Sequence, residues 1–174
     1  DCFLEPGFLH AALPRLAEPR VGSVAPKLLR ATGPQSEPAQ VDTAGMVIDR
    51  TGKNGLVGHA RPAAQFATSA EVFGADGAAA LYRRATLEDC ALDGREVLDE
   101  DMELWASDAD LAWRAQLLGW RCVYEPRAVA RHIRTYSPST RAQMSERDRR
   151  LQFRNRYLML VKNETREGIF RDGA

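Results

Sequence analysis

One helix in this sequence has both ends marked, and any fold must accommodate it together with the strand-like residues on its C-terminal side. Ser107 and Asp110 make a Ser-x-x-Asp capping pattern, in which side-chain oxygens satisfy the open N–H groups of a helix start. Leu111, Ala115 and Leu118 then repeat at helical spacing. Gly119 stands where a helix stop needs a residue free to turn left-handed. Strand-like runs come directly after it, Trp120 to Tyr124 and Ala128 to Ala130, split by Pro126.

The rest of the chain is punctuated less sharply. Residues 7–17 read as a short helix with Phe8, Leu9, Ala12, Leu13 and Leu16 on one side, stopped by Pro19. Val21 to Ala25 reads as a short strand closed by Pro26, residues 31–40 have loop composition, and Gly45 to Ile48 is a second short strand. Arg50 to Ala70 is irregular, with Gly52, Gly55, Gly58 and Pro62. A long loop of this kind carrying Arg50, Lys53 and His59 is a candidate to close over a ligand. Ala78 to Arg84 fits either a helix or a buried strand. Ser137-Pro138 opens a second long helix, on which Met144, Leu151 and Leu158 share a face with Tyr157 and Val161.

Composition excludes several classes. Lys plus Arg equals Asp plus Glu at 24 each, so whole-chain charge points to neither nucleic acid nor lipid. Cys2, Cys90 and Cys122 are odd in number and far apart, which argues against a disulfide framework and for a reducing compartment. There is no uninterrupted apolar run of about 18 residues to span a bilayer. The sequence opens at Asp1, without a signal-peptide pattern, and is expected to be a processed chain or a fragment. Charge is uneven locally: from Arg127 to Arg171 twelve Lys/Arg face four Asp/Glu. Such a run is a solvated helix face, or an attachment to an anionic membrane surface. No recognition motif accompanies it that would suit nucleic acid.

The chemistry-bearing residues concentrate between Leu98 and His132. Asp99, Glu100, Asp101, Glu103 and Asp108 precede or open the marked helix, and Asp110 lies in its first turn. Acids favour helix N-termini electrostatically, so a structural role is available to all of them. The pattern Asp99-Glu100, Asp108-Ala109-Asp110-Leu111, Arg114, Gly119-Trp120, Pro126, His132 nevertheless resembles that of bacterial family 2 glycosyltransferases, especially the rhamnosyltransferase-like branch. Ser107 departs from it, standing where the family usually has an acid. The resemblance extends over Asp1 to Leu9, Val21 to Leu28, Asp42 to Met46, Phe73 to Arg84 and Arg154 to Asn163.

The resemblance implies an α/β fold: the C-terminal half of a GT-A sheet, mixed in strand direction, plus a C-terminal helix. It implies that residues 1–136 form the acceptor-side catalytic half, with the nucleotide-binding half missing before Asp1, and residues 137–174 a basic helical extension. The implied activity is inverting transfer of a sugar, with rhamnose suggested by the branch, from a nucleotide-diphosphate donor to an acceptor hydroxyl. The acceptor would be a saccharide or a lipid-linked saccharide in cell-surface polysaccharide or glycolipid synthesis, at the inner, cytoplasmic face of a bacterial membrane.

Asp108 takes the catalytic-base role by this resemblance, and its place at a helix tip predicts an ionised, rigidly held carboxylate. Asp110 is its rival, expected instead to cap backbone N–H groups. Asp76, Gly77, Trp105, Asp110 and Arg114 are the candidate acceptor or substrate contacts. Asp1 and His132 are the candidate ligands of a divalent cation, Mg²⁺ or Mn²⁺, which would stabilise the leaving diphosphate. Two other classes stay open: a non-catalytic glycosyltransferase-like interaction module, which the Ser107 departure favours, and a basic domain that binds an anionic surface.

Overall fold

The computed structural model describes residues 1–33, 36, 37, 39–138 and 140–164. In chain order its elements are β1 (Cys2–Leu4), α1 (Phe8–Ala12), β2 (Val21–Arg30), β3 (Val41–Thr43), β4 (Met46–Ile48), β5 (Asn54–Leu56), β6 (Ala70–Val72), β7 (Leu81–Tyr82), α2 (Arg84–Cys90), α3 (Ser107–Leu117), β8 (Arg121–His132) and α4 (Glu146–Asn163). The architecture is mixed α/β. The last part of the expected basic extension, residues 165–174, lies outside the described residues.

Two long strands, β2 and β8, pair in parallel at the centre of the sheet. Short antiparallel strands finish each side. On the far side of β8, β6 pairs with its first half and β1 with its second; on the far side of β2, β7 and β3 do the same. The strands β4 and β5 make a separate hairpin. Side chains alternate across the sheet as strand geometry requires. Val24, Leu28, Val123, Ala128 and Ala130 pack on one face with Phe8, Ala11 and Ala12 of α1. Ala25, Cys122 and Tyr124 pack on the other with Val41, Ala44 and Ala75. A third group, Met46, Met102, Ala109, Ala112 and Met159, joins α3 and α4 to this second layer. Leu28, Met46, Met102, Leu111 and Met159 are fully buried, and each such side chain contributes about 1.5–3 kcal/mol.

Pro26 does not close β2, and Pro126 does not split β8. The two prolines meet at one break in the ladder. Pro26 faces Glu125 and Lys27 faces Val129, so Pro126, Arg127 and Ala128 fall between the two registers. A bulge tolerates proline because no ladder bond is lost there. Glu125 pins this bulge from the inside: its buried carboxylate accepts from Arg127 N and Nε at 3.0 Å and from Arg15 Nε at 2.7 Å. Burial alone would push the Glu125 carboxyl up, but the Arg127 and Arg15 bonds hold it below its ordinary value.

Helix boundaries also differ from expectation, for local reasons. The first helix is α-helical only to Ala12, and a 3-10 turn (Leu13–Ala17) comes next because Pro14 has no N–H to continue the ladder. The last helix opens not at Ser137 but at Glu146, where Ser145 Oγ accepts from Asp148 N at 3.0 Å and donates to its carboxylate at 2.8 Å. Its inward stripe is Leu151, Asn155, Met159 and Asn163, while Tyr157 and Val161 face outward. Two buried asparagines in that stripe disguise it as polar in the sequence. The end of α3 is as predicted: Gly119 takes φ 81°, its N–H bonds Gln116 O at 2.9 Å, and Trp120 N bonds Ala115 O at 2.9 Å, a Schellman closure. The segment from Ala78 to Arg84, which fits helix or strand by periodicity, becomes β7 and the first residue of α2. Among the described residues no helix is long and apolar enough to cross a membrane.

Gly74 marks the closest approach between the β6–β7 connection and α3. A Cβ there would lie 2.4 Å from Ala112 Cβ and 3.1 Å from Met46 Cε. Gly74→Ala is therefore expected to lower the stability of the fold by about 1–3 kcal/mol, read as a drop in the urea midpoint without a change in slope.

Candidate active site

The turn before α3 is bent into an unusual backbone. Glu103, Trp105 and Ala106 all have positive φ, at 52°, 76° and 64°. Such conformations cost about 1–2 kcal/mol each in non-glycine residues and persist only where neighbours enforce them. The neighbour here is Asn155 of α4, whose buried amide nitrogen lies 2.6 Å from Met102 O, 2.9 Å from Leu104 O and 2.9 Å from Trp105 O. The helix cap is accordingly Ala106, not Ser107, and it makes no side-chain cap bond. Asp110 N bonds Ala106 O at 2.8 Å to begin the helix. The Ser-x-x-Asp signal marks the right place in the chain but not the capping contact, because the turn is held by α4 instead.

This turn delivers Asp108 to the β6–β7 connection. Asp108 Oδ2 accepts from Gly77 N at 3.0 Å, and Oδ1 accepts from Ala109 N at 2.9 Å. Beside it, Asp76 Oδ2 accepts from Arg134 Nη2 at 2.5 Å, and Asp76 Oδ1 accepts from Ala78 N at 3.0 Å. The two carboxylates are therefore unequal: Asp76 has a guanidinium, and Asp108 has backbone N–H donors with no cationic partner among the described residues. Burial pushes the Asp108 carboxyl up and the charge of Asp76 adds to this, against the opposing Gly77 and Ala109 bonds. Burial thus works against the helix-tip effect at Asp108 and raises its proton affinity above that of an ordinary aspartate.

The polar chain continues inward from Arg134. Its Nε lies 2.9 Å from both oxygens of Asp42, a fully buried carboxylate in the middle of β3. His132 Nδ1 lies 2.7 Å from Asp42 Oδ2, and His59 Nδ1 lies 2.8 Å from Asp42 O and 3.5 Å from Oδ1. Burial alone would push the Asp42 carboxyl up; His132 and Arg134 hold it below its ordinary 3.8. An ionised Asp42 fixes the His132 proton on Nδ1 and leaves Nε2 as the outward atom. Buried His59 Nε2 has no partner among the described residues. His132, Arg134, Asp76, Gly77 and Asp108 thereby belong to one continuous network, with Asp42 at its inner end.

Other residues singled out in the sequence lie elsewhere or act otherwise. Asp110 and Arg114 pair with each other at 2.8 Å in the interior; Arg114 also donates to Cys90 O and, at 2.8 Å, to Val97 O, and Asn163 donates to Asp110 Oδ1 at 2.7 Å. They tie α2, α3 and α4 together, and both are buried. Trp105 packs on Tyr136 with ring centroids 6.0 Å apart, and its Nε1 donates to Asp148 Oδ1 at 3.3 Å. Asp1 is exposed, with its carbonyl accepting from Ile133 N at 2.9 Å, and the next residue, Cys2, faces His132 across β1 and β8. Arg50 and Lys53 are exposed on the β4–β5 turn, whereas His59 from the same long segment is drawn into the network. Among the described residues no group of three or more His, Cys, Asp or Glu is placed to hold a metal ion.

Asp42 and Arg134 are members that sequence reasoning did not assign to the site, and His59 entered it only as part of the loop expected to close over a ligand. One signal was present: His132 and Arg134 are two apart at a strand end, a spacing that puts both side chains on one side. Nothing local distinguished Asp42.

Asp42→Asn leaves Arg134 without its buried counter-charge and is expected to destabilise the chain by about 3–5 kcal/mol. Because the folded carboxyl titrates below 3.8, its contribution is complete above that pH and is lost as pH falls further. Urea midpoints measured from pH 7 down to pH 2 should fall in the wild type below pH 4, and less steeply in Asp42→Asn. No protein-family model matches the chain and no curated protein matches it.

Proposed function

We propose that this chain is the acceptor side of an inverting, nucleotide-sugar-dependent glycosyltransferase of family 2, built as part of a GT-A fold, with Asp108 as the general base. The observation that carries the reading is the asymmetry between the two neighbouring carboxylates. Asp76 is paired with Arg134, while Asp108 is half-buried, held in place by the Gly77 and Ala109 N–H groups, and free of any cation among the described residues. A base for an acceptor hydroxyl needs raised proton affinity and a fixed position, and this arrangement supplies both.

The chain's own groups divide the work. Asp108 takes the proton as the acceptor oxygen attacks the anomeric carbon of the donor, and the bond to the nucleotide diphosphate breaks. Gly77 lies close against this carboxylate, where a Cβ would sit 3.5 Å from Asp108 Cβ and 3.6 Å from Oδ2. Asp76, fixed by Arg134, is positioned to accept from a second sugar hydroxyl. Trp105, packed on Tyr136, offers a partly exposed ring edge beside the α3 tip.

We propose His132 and Asp1 as part of a cation site. His132 is backed by Asp42 in the manner of a metal-binding imidazole whose tautomer is set from behind, and Asp1 directly precedes the strand that runs beside it. These two would hold Mg²⁺ or Mn²⁺ with further ligands from the diphosphate and water. When bound, the cation would stabilise negative charge on the leaving diphosphate. The donor sugar, with rhamnose indicated by the branch resemblance, and a saccharide or lipid-linked acceptor complete the proposal.

The test is nucleotide diphosphate release from nucleotide sugars by the protein that carries these 174 residues. Asp108→Asn is expected to lower kcat by about 10²–10⁴-fold with KM for the donor little changed. In the wild type the acid limb of kcat should lie above the ordinary aspartate value of 3.8, as the direction of the Asp108 shift requires. Unchanged turnover in Asp108→Asn would remove the base assignment.

A further inference from the structure

The helix α4 is apolar on two opposite sides. Its inward stripe, Leu151 to Asn163, is used by the core. The outward side presents Phe153, Tyr157 and Val161, which are 64%, 47% and 72% exposed and succeed one another at four-residue spacing along one line of the helix. An open hollow of about 440 Å³ runs beside them, lined by Phe153, Arg154, Tyr157, Leu158 and Val161. A second, of about 500 Å³, continues it toward the helix start between Arg147, Arg150 and Arg154.

Arginines border this stripe. By helical spacing Arg149 and Arg156 flank one side, and Arg150 and Arg154 the other. The Arg156 guanidinium sits 5.7 Å from the Tyr157 ring centroid. The acids nearby do not cancel the charge firmly. Glu146 meets Arg150, and Glu103 is shared between Arg147 at 2.9 Å and Arg154 at 3.3 Å, all as solvent-exposed pairs. Pairs of this kind are worth little and exchange readily for other anions. Arg154 is also held by Asp101 O and Asn155 Oδ1, and Arg156 Nε donates to Thr51 O at 2.7 Å, which leaves its two terminal nitrogens for an anion. Arg149 has no acidic partner among the described residues.

The charge pattern selects the occupant. A second copy applied stripe to stripe would set these arginines against their own equivalents, since a two-fold contact matches a patch with itself. An anionic bilayer presents the complementary pair of properties: an apolar layer for the two aromatic rings and valine, and phosphates at the height that arginine side chains reach from the edge of a half-sunk helix. We propose that the outward face of α4 docks on the surface of an anionic phospholipid bilayer, with Phe153, Tyr157 and Val161 entering the headgroup boundary and Arg149, Arg150 and Arg156 contacting lipid phosphates. The contact does not depend on the glycosyltransferase reading. Only its consequence does: α4 also grips the turn that carries Asp108, so docking would hold that carboxylate close to a lipid-linked acceptor.

Co-sedimentation of the 174-residue chain with vesicles tests this, using phosphatidylcholine alone and phosphatidylcholine with about 30% phosphatidylglycerol, a composition chosen for its negative surface charge. Binding is expected to the mixed vesicles, weakening as salt rises. The triple variant F153S/Y157S/V161S should lose about tenfold or more in partitioning, because it removes the buried apolar area. The charge variant R149E/R150E/R156E should lose its preference for the anionic vesicles. Phe153→Trp in an otherwise wild-type chain gives an independent readout, a blue shift of the added emission on the mixed vesicles, which stands even if a multiple variant fails to fold. Three results would overturn the proposal: no binding to the mixed vesicles, equal binding by well-folded wild type and triple variant, or a dimer in sedimentation equilibrium that the triple variant dissociates. None of these measurements involves sugar turnover, so a failure here is separable from a failure of the catalytic assignment.

Discussion

Parallel pairing of β2 with β8 puts Val21 beside Arg121 and Arg30 beside His132, and the other parts of the fold are arranged around that contact. A parallel pair cannot be closed by a hairpin, so everything between the two strands must leave the sheet and return. The return path supplies β3, β6 and β7 as short edge partners, and α2 and α3 as cover. The same pairing determines where polar chemistry can collect. At the β8 bulge the interior charge is Glu125, neutralised by arginines on both sides. At the far end of β8 the interior charge is Asp42, and there the neutralising groups are His132 and Arg134.

Asp42 organises the candidate site without facing a ligand itself. A fully buried carboxylate is tolerated only with charge and hydrogen bonds around it, and its partners arrive from residues 17, 90 and 92 positions away. The requirement to satisfy it fixes the His132 tautomer and the reach of Arg134. Arg134 in turn settles Asp76, which leaves Asp108 as the carboxylate with no guanidinium. The raised proton affinity of Asp108 comes first from its own burial and then from the charge of the neighbouring Asp76.

The second organising contact is made by α4. Its asparagines, not its apolar residues, do the positioning: Asn155 ties down carbonyls of a turn with three left-handed residues, and Asn163 reaches Asp110. Lys162 adds a pair to Asp99 at the entrance of that turn. The helix therefore belongs to the same packed unit as the candidate site, while Arg147, Arg149 and Arg150 are exposed.

Much of the local structure was legible in the residues alone. Gly119 stops α3 because only a left-handed residue closes a Schellman turn, and Leu111 and Ala115 are buried because their spacing puts them on one helix face. The acids from Asp99 to Asp108 were legible as a concentration of chemistry, and so was the closeness of His132 to a strand end. Tertiary structure alone decided which of those acids is free. Asp110 and Asp108 are both acids of one helical turn, yet Arg114 and Asn163 occupy the first while only N–H groups meet the second. It also decided that Pro26 and Pro126 sit inside strands, that Asn155 rather than Ser107 holds the α3 entrance, and that Asp42 anchors the network. The physical reason is common to all of these. Periodicity and capping signals are read within a few residues, where backbone geometry sets which side chains are neighbours; the partners of a buried charge, a bulge or a strained turn are set by desolvation, and desolvation depends on chain segments that meet only once the fold is complete.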